Sequence, residues 1–265
     1  MQTLTPNGQK AVARFTDIVI QDGSSFALKS ALSSTFPGRF TTIEPAAVEV
    51  HATYSGFGDE VSRVQIAPDA KAERPFLPDP ATLTDQLLLA DRGYPSVAYF
   101  EAVVAQGGSF IVRLTRSYDP WIRTAWVEGQ RTPVPTPLRL YRFRWQIERC
   151  FKEWTSYANL HQFDTANVHI AEGLIWASLC AAVLKRFLAH AAQRVGGPPM
   201  STRRVAMCAH HILDALVAAL LLGVGLRRTL RRGLAYLLAN ARRANPDRDR
   251  RTGRLRTGLG LAVSA

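Results

Sequence analysis

The pattern of hydrophobic and polar positions divides the chain into a strand-rich first half and a helical second half. Segments 47–54 and 60–66 alternate apolar and polar residues around a short glycine-containing turn, which predicts an antiparallel hairpin. Residues 86–90 are almost all apolar, which is typical of a strand buried on both faces. Strands are also predicted at 15–20 and 109–115, so five strands precede the helical part.

Helical periodicity first occurs at residues 96–105, where Ser96 is a predicted N-cap and Gly107 with Gly108 a predicted stop. Residues 116–137 contain four prolines and show no period, and we interpret them as an irregular connector. This order of elements is the one expected for an α/β fold around one sheet: strand, hairpin, strand, helix and strand, followed by helices. Four further helices are predicted at 138–157, 170–192, 204–222 and 226–243.

The charge of the chain predicts a polyanionic partner. Lys and Arg number 33 against 21 Asp and Glu, which gives a formal net charge of +12. Nearly all of these cations are Arg, whose planar fork of donors matches phosphate oxygens. We therefore expect a nucleic acid partner; an arginine-rich composition inherited from a GC-rich genome is the alternative.

Cysteine usage and hydropathy exclude several classes of protein. The three cysteines have no paired spacing, which argues against a zinc knuckle or a disulfide framework and fits a reducing cytoplasm. The longest apolar run, residues 212–226, carries Asp214 and has only about 15 residues, fewer than a membrane span needs. We therefore expect no membrane partner.

Two aspartates follow predicted strands and are candidates for chemistry. Asp22 comes after the first strand and Asp91 directly after the fourth. Side chains beyond the carboxyl ends of neighbouring strands converge on one edge of an open α/β sheet. Taken singly, an aspartate before or near a glycine is equally well explained as a turn residue.

The third acidic candidate lies on the first long helix. Tyr141, Arg144, Glu148 and Lys152 are spaced by three and four residues, which places them on one helical face. Without further context, such a face is explained by solvated ion pairs.

The sequence around these residues resembles a known signature. Bacterial insertion-sequence transposases carry the pattern Tyr-x2-Arg-x3-Glu-x6-Lys, and Tyr141, Arg144 and Glu148 hold its first three positions at the right spacing. The segment from Asp91 to Tyr94 is similar to the Asp-x-Gly-Tyr motif of the same family. Asp22 with the glycine after it resembles the family's first aspartate, and the resemblance extends over residues 15–193.

The resemblance implies a ribonuclease H-like fold, with a mixed sheet flanked by helices and a helical C-terminal region. It implies that Asp22, Asp91 and Glu148 hold two Mg²⁺ or Mn²⁺ ions, which activate a water or a DNA 3′-hydroxyl for attack on a phosphodiester. Hard carboxylate oxygens suit these ions better than they suit zinc. Tyr141, Arg144 and Lys152 are the implied contacts to DNA phosphates, and helix packing with ion pairing is the alternative for Tyr141 and Arg144.

Three features depart from the family pattern. Thr155 stands where the signature has its closing Lys, and Lys152 is the candidate substitute. Residues 116–137 are too few for the β-rich insertion that relatives carry, and residues 1–14 are too few for an end-binding domain. We therefore expect a shortened member of the family.

We expect four regions: an N-terminal segment 1–14, a catalytic domain 15–193, C-terminal helices 194–243 and a basic tail 244–265. The predicted function is DNA transposition in a bacterial cytoplasm, at the nucleoid, with transposon ends and target DNA as partners. A homodimer within a synaptic complex is compatible with it. An inactive DNA-binding remnant and a nuclease of the same fold that only hydrolyses DNA are the alternatives.

Overall fold

A computed structural model describes residues 12–94, 96–114, 140–160, 163–196 and 200–243, together with the backbone of 126–127 and 130–131. The described residues up to Cys150 form one compact unit, and those from Phe151 form a second. The predicted N-terminal segment and basic tail lie almost entirely outside the described residues.

The first unit is built on one mixed five-stranded sheet with the order β3-β2-β1-β4-β5. Strand β1 is antiparallel to β2, which is antiparallel to β3, whereas β4 runs parallel to β1 and β5 parallel to β4. The predicted hairpin and the bounds of the fourth strand are confirmed. The strands are β1 Asp17–Ala27, β2 Ala47–Ser55, β3 Glu60–Pro68, β4 Gln86–Ala90 and β5 Ser109–Val112.

The first strand is much longer than predicted, so Asp22 lies within β1 and not beyond its end. Asp22 pairs with Ala52 of β2, and the ladder continues to the end of β1. The apolar pattern ends at Ile20 because residues 21–25 are all polar or glycine. The long antiparallel partner β2 nevertheless satisfies their backbone hydrogen bonds, and this decides the extent of the strand.

Helix α1, Val97–Ala105, begins and ends as predicted. The Ser96 hydroxyl accepts a hydrogen bond from the Tyr99 amide at 3.5 Å, and Gly107 has a φ of 76° just after the helix. The prediction of a wholly irregular connector is wrong in one place, because Trp126–Val127 (β6) and Gln130–Arg131 (β7) form a short antiparallel ladder. The rest of that connector lies outside the described residues.

The two faces of the sheet carry different layers. Val19 and Leu88 belong to a buried cluster that includes Val103 of α1. Ile18 and Ile20 alternate with these positions and are fully buried on the other face. A 3-10 turn, Arg142–Arg144, contacts β1 and β4 and leads into helix α2, Trp145–Ala158. The turn therefore places the start of α2 beside strands β1 and β4.

The second unit is helical, as predicted. Its helices are α3 Val168–Gly196, α4 Thr202–Leu221 and α5 Leu226–Asn240. They share a core that includes Leu188, Ile212 and Leu237. The predicted fold class, an α/β ribonuclease H-like sheet with a helical C-terminal region, is confirmed.

Helices α3 and α4 are long and apolar enough to cross a membrane by length and composition, with mean hydropathies of 1.4 and 1.5 over the described residues. This is weak evidence, since core helices of soluble proteins pass the same test. Helix α3 also makes polar contacts inside its unit: the Lys185 ammonium donates to the Tyr157 carbonyl at 2.5 Å, and Arg186 lies 3.8 Å from Glu153.

Candidate active site

The backbone brings the three predicted carboxylates to one edge of the sheet. Gln21 of β1 pairs with Ala90 of β4, so Asp22 and Asp91 are the next residues on two parallel neighbours. Alternation along the strands directs both side chains to the face opposite Gln21. Glu148 lies in the first turn of α2.

One arginine joins all three carboxylates. Arg144 donates through Nη1 to Asp22 Oδ2 and through Nη2 to Glu148 Oε1, each at 2.5 Å. The same Nη2 lies 3.7 Å from Asp91 Oδ2. Only 7% of the Arg144 side chain is exposed, so this ion pairing takes place with little water around it. Residues more than 100 positions apart along the chain therefore share one guanidinium.

The other predicted DNA contacts divide into two groups. The Tyr141 hydroxyl donates to Asp91 Oδ1 at 3.1 Å, so the tyrosine is part of the same cluster. Lys152 is exposed on α2. The Thr155 hydroxyl donates to the Phe151 carbonyl at 3.1 Å and to the Lys152 carbonyl at 3.2 Å, so it serves the helix backbone.

Burial sets the protonation of this cluster. Desolvation raises the pKa of Asp22 to about 7, against the opposing effects of Arg144 and of the Gly23 amide that donates to Asp22 Oδ1 at 3.1 Å. The neighbouring Asp91 and Glu148 raise it further. Burial likewise raises the pKa of Tyr141 to about 12, so its phenol keeps the proton that it donates to Asp91. The three carboxylates can carry more negative charge than the single Arg144 guanidinium neutralises.

A protein-family model described as the transposase DDE domain matches residues 14–184, which is more than half of the chain. The chain belongs to the DDE-domain transposase family. Comparison with curated proteins and with solved structures finds no match. The family match confirms the prediction of a DDE transposase, and the bacterial insertion-sequence group within that family stays a prediction.

Membership of the DDE transposases implies dependence on a divalent metal. As the side chains lie, no group of three His, Cys, Asp or Glu among the described residues is arranged to hold a metal ion. The Arg144 guanidinium lies between the three carboxylates, which accounts for this. The donor set itself fits, because carboxylate oxygens are what Mg²⁺ and Mn²⁺ prefer, and a cation already binds them.

A second cluster, which the sequence analysis missed, lies on the opposite face of β1 in this transposase. Arg39 Nη2 lies 3.5 Å from Glu49 Oε2, 3.8 Å from Asp69 Oδ1 and 3.4 Å from Glu73 Oε1. Arg113, also missed, lies on the carboxylate-triad side, 3.8 Å from Asp91 Oδ1. The signal for the second cluster is a glutamate at an inward position of β2, a strand that is buried over its whole length except for the last residue.

The glycines of the two aspartate motifs make room for the second cluster. A Cβ on Gly23 would lie 2.3 Å from Glu49 Oε1 and 3.1 Å from His51 Nδ1. A Cβ on Gly93 would lie 1.5 Å from Glu73 Oε2. A side chain at either glycine would therefore have to displace the end of an acidic side chain.

Replacing Glu49 with Gln is expected to stabilise the transposase at alkaline pH. Burial, reinforced by Glu73 and opposed by Arg39, raises the pKa of Glu49 from 4.5 to about 7. The stabilisation from its protonated form is fully present below pH 4.5 and is lost as the pH rises through 7. Gln stays neutral, so the free energy of unfolding should rise by about 1–2 kcal/mol at pH 8 and much less at pH 4.5.

Urea denaturation at the two pH values measures this difference, with the exposed Glu101→Gln on α1 as the control. His51 Nε2 lies 3.6 Å from Glu49 Oε2, but burial lowers the pKa of His51 to about 4, so this histidine is mostly neutral at both pH values. A Glu49→Gln protein less stable than wild type at pH 8 would contradict the prediction.

Proposed function

We propose that this transposase is a polynucleotidyl transferase that hydrolyses a phosphodiester at a transposon end and transfers the 3′-hydroxyl strand to target DNA. Asp22, Asp91 and Glu148 hold two Mg²⁺ or Mn²⁺ ions in this proposal. The observation that carries it is the single Arg144 guanidinium contacting carboxylates from β1, from the end of β4 and from α2. Three carboxylates this close together require a counter-ion or the uptake of a proton, and here the counter-ion is Arg144.

The chain's own residues bind and orient the reacting groups. When bound, the two ions supply activation of the attacking oxygen and stabilisation of the departing one. Asp22 and Asp91 are fixed by neighbouring parallel strands, which keeps the spacing of their carboxylates constant. Tyr141 keeps its proton and so can donate its one hydrogen bond to a phosphate oxygen in place of Asp91. Lys152, exposed on the same helix, is the second proposed phosphate contact.

Helix α5 supplies a separate surface for the DNA backbone. Four exposed arginines at positions 227, 228, 231 and 232 form a double row along the helix. Helix α5 has no acidic residue, and these four arginines make no ion pair within the described part of the chain. An unpaired row of guanidinium groups binds phosphates without regard to base sequence.

The remaining assignments follow from this role. The partners are transposon ends and target DNA, and a homodimer in a synaptic complex is the proposed assembly. The proposed location is the bacterial cytoplasm, at the nucleoid, and the polar contacts of α3 within its unit favour this over a membrane. The signature at Tyr141, Arg144 and Glu148 supports an insertion-sequence origin.

Plasmid nicking and strand joining test the proposal. The chain is incubated with a supercoiled plasmid and a labelled duplex that has a free 3′-hydroxyl, with Mg²⁺, with Mn²⁺ or with a chelator. We expect metal-dependent covalent joining of the label to the plasmid. Nicking without joined product would support the nuclease of the same fold in place of the transferase.

An inactive DNA-binding remnant is the second candidate function, and the position of Thr155 favours it. The Thr155 hydroxyl is used by backbone carbonyls of its own helix, where the signature has a lysine for phosphate. Binding of DNA with neither nicking nor joining in either metal would support the remnant. Restoring the lysine by Thr155→Lys then asks whether this one departure explains the loss.

A further inference from the structure

We propose that Arg144 is an internal counter-ion of the carboxylate triad, which metal ions must displace and which DNA draws away. The inference rests on the proposed function, because it assigns a form of regulation to the same site. It predicts that the site binds metal weakly until a phosphate backbone is present.

The contacts of the triad leave its facing oxygens occupied. Asp22 accepts from the Gly23 amide at Oδ1 and from Arg144 at Oδ2. Asp91 accepts from the Tyr141 hydroxyl at Oδ1, and its Oδ2 faces Arg144 Nη2. Glu148 gives Oε1 to Arg144. The guanidinium lies between the carboxylates, so a Mg²⁺ ion bound to the same oxygens on that side at about 2.1 Å would overlap it.

Metal and guanidinium therefore compete for the same atoms. The apparent metal affinity equals the intrinsic affinity multiplied by the fraction of molecules in which Arg144 has left the triad. The smaller that fraction is, the weaker the metal binding that is observed. Arg144 Nε has no hydrogen-bond partner within the described residues although it is buried, so only the two terminal nitrogens hydrogen-bond to the triad. These are the hydrogen bonds that a displacing ion has to break.

The neighbourhood of Arg144 gives the released side chain a place next to solvent. Its Cζ lies 5.7 Å from the centre of the Tyr141 ring and 6.0 Å from that of Trp145, and Trp145 is 55% exposed. A DNA phosphate at this edge would pair with the guanidinium and so leave the carboxylates to the metal. Because coupling between two ligands is reciprocal, metal would raise the affinity for DNA by the same factor.

Calorimetric titration with Mn²⁺ tests the exchange on the full chain. Arg144→Ala should bind Mn²⁺ about tenfold more tightly than wild type without DNA, because no guanidinium has to be displaced. Arg144→Lys should fall between them, since an ammonium cannot bridge three carboxylates. Arg142→Ala, an exposed arginine in the same turn, is the matched control and should leave the affinity unchanged. A short DNA duplex should tighten Mn²⁺ binding by wild type but not by Arg144→Ala.

Mn²⁺ binding by Arg144→Ala that is equal to or weaker than that of wild type would overturn the inference. If Asp91→Asn abolishes Mn²⁺ binding in that case, the proposed metal site survives and only the counter-ion role fails. If neither wild type nor Arg144→Ala binds Mn²⁺, both the inference and the proposed function fail.

Circular dichroism will show whether Arg144→Ala folds. If it does not fold, the fluorescence of Trp145 tests the inference in protein that retains Arg144. Mg²⁺, which does not itself quench tryptophan, should change this fluorescence in wild type but not in Trp145→Phe, because Arg144 lies beside that ring before displacement. Mg²⁺ binding with no change in the Trp145 signal would overturn the inference.

Discussion

Glu148→Gln is expected to lower the rate of DNA cleavage at least about a thousandfold, since an amide cannot supply the charge that holds a catalytic ion. Glu148 is the only triad member on a helix, and it comes to the aspartates through the turn Arg142–Arg144 against β1 and β4. The substitution keeps the size of the side chain, so the packing of α2 should be retained. Single-turnover cleavage of a labelled duplex in saturating Mn²⁺ measures the rate.

The exposed Glu101→Gln on α1 is the matched control for a lost carboxylate, and it should cleave at the wild-type rate. Asp22→Asn and Asp91→Asn should lose as much as Glu148→Gln, because residues that hold ions jointly do not contribute additively. A folded Glu148→Gln protein that cleaves within tenfold of wild type would exclude the glutamate from the reaction.

Replacing the four α5 arginines at 227, 228, 231 and 232 with Gln should weaken DNA binding about a hundredfold at moderate salt. Each phosphate contact contributes about 0.9 to the slope of log affinity against log salt, so the slope should become shallower by about 3–4. Leucines on the opposite face of α5, such as Leu237, pack in the helical core, and the substitutions leave them unchanged. Fluorescence anisotropy with one duplex at several salt concentrations gives affinity and slope together.

The double variant Arg63→Gln and Arg74→Gln serves as the control for lost positive charge. Both residues are exposed in the sheet-containing unit. A change in slope per substitution equal to that of the α5 variant would mean that net charge alone governs binding. The α5 surface would then have no special part in it.

The elements that the sequence predicted well are those in which local chemistry and tertiary packing agree. The bounds of β4 follow from a run of apolar residues, which the structure buries between two neighbouring strands. The start of α1 follows from Ser96, whose hydroxyl caps the helix. In both cases the local signal needs no distant partner for its interpretation.

The sequence predicted which three carboxylates lie together, but it did not predict the contacts that bring them together. Asp22, Asp91 and Glu148 follow from spacing and from the family signature, but the extension of β1 through Asp22 depends on pairing with β2. Likewise, nothing local marks Arg39 as the partner of three distant carboxylates. Contacts of this kind are set by the register of strands and loops far apart along the chain, and a single sequence does not contain them.

The close approach of the Glu73 carboxylate to Gly93 means that the residue tolerated at position 93 depends on the residue at position 73. A methyl group at position 93 has no space while Glu73 keeps its present position. A substitution of Gly93 therefore requires a smaller residue at position 73 or a movement of the Glu73 side chain. Such a movement would take Glu73 Oε1 away from Arg39 Nη2, which lies 3.4 Å from it. We expect homologues that carry alanine at position 93 to carry a smaller residue at position 73, a covariation that would link the loop after β4 to the opposite face of the sheet.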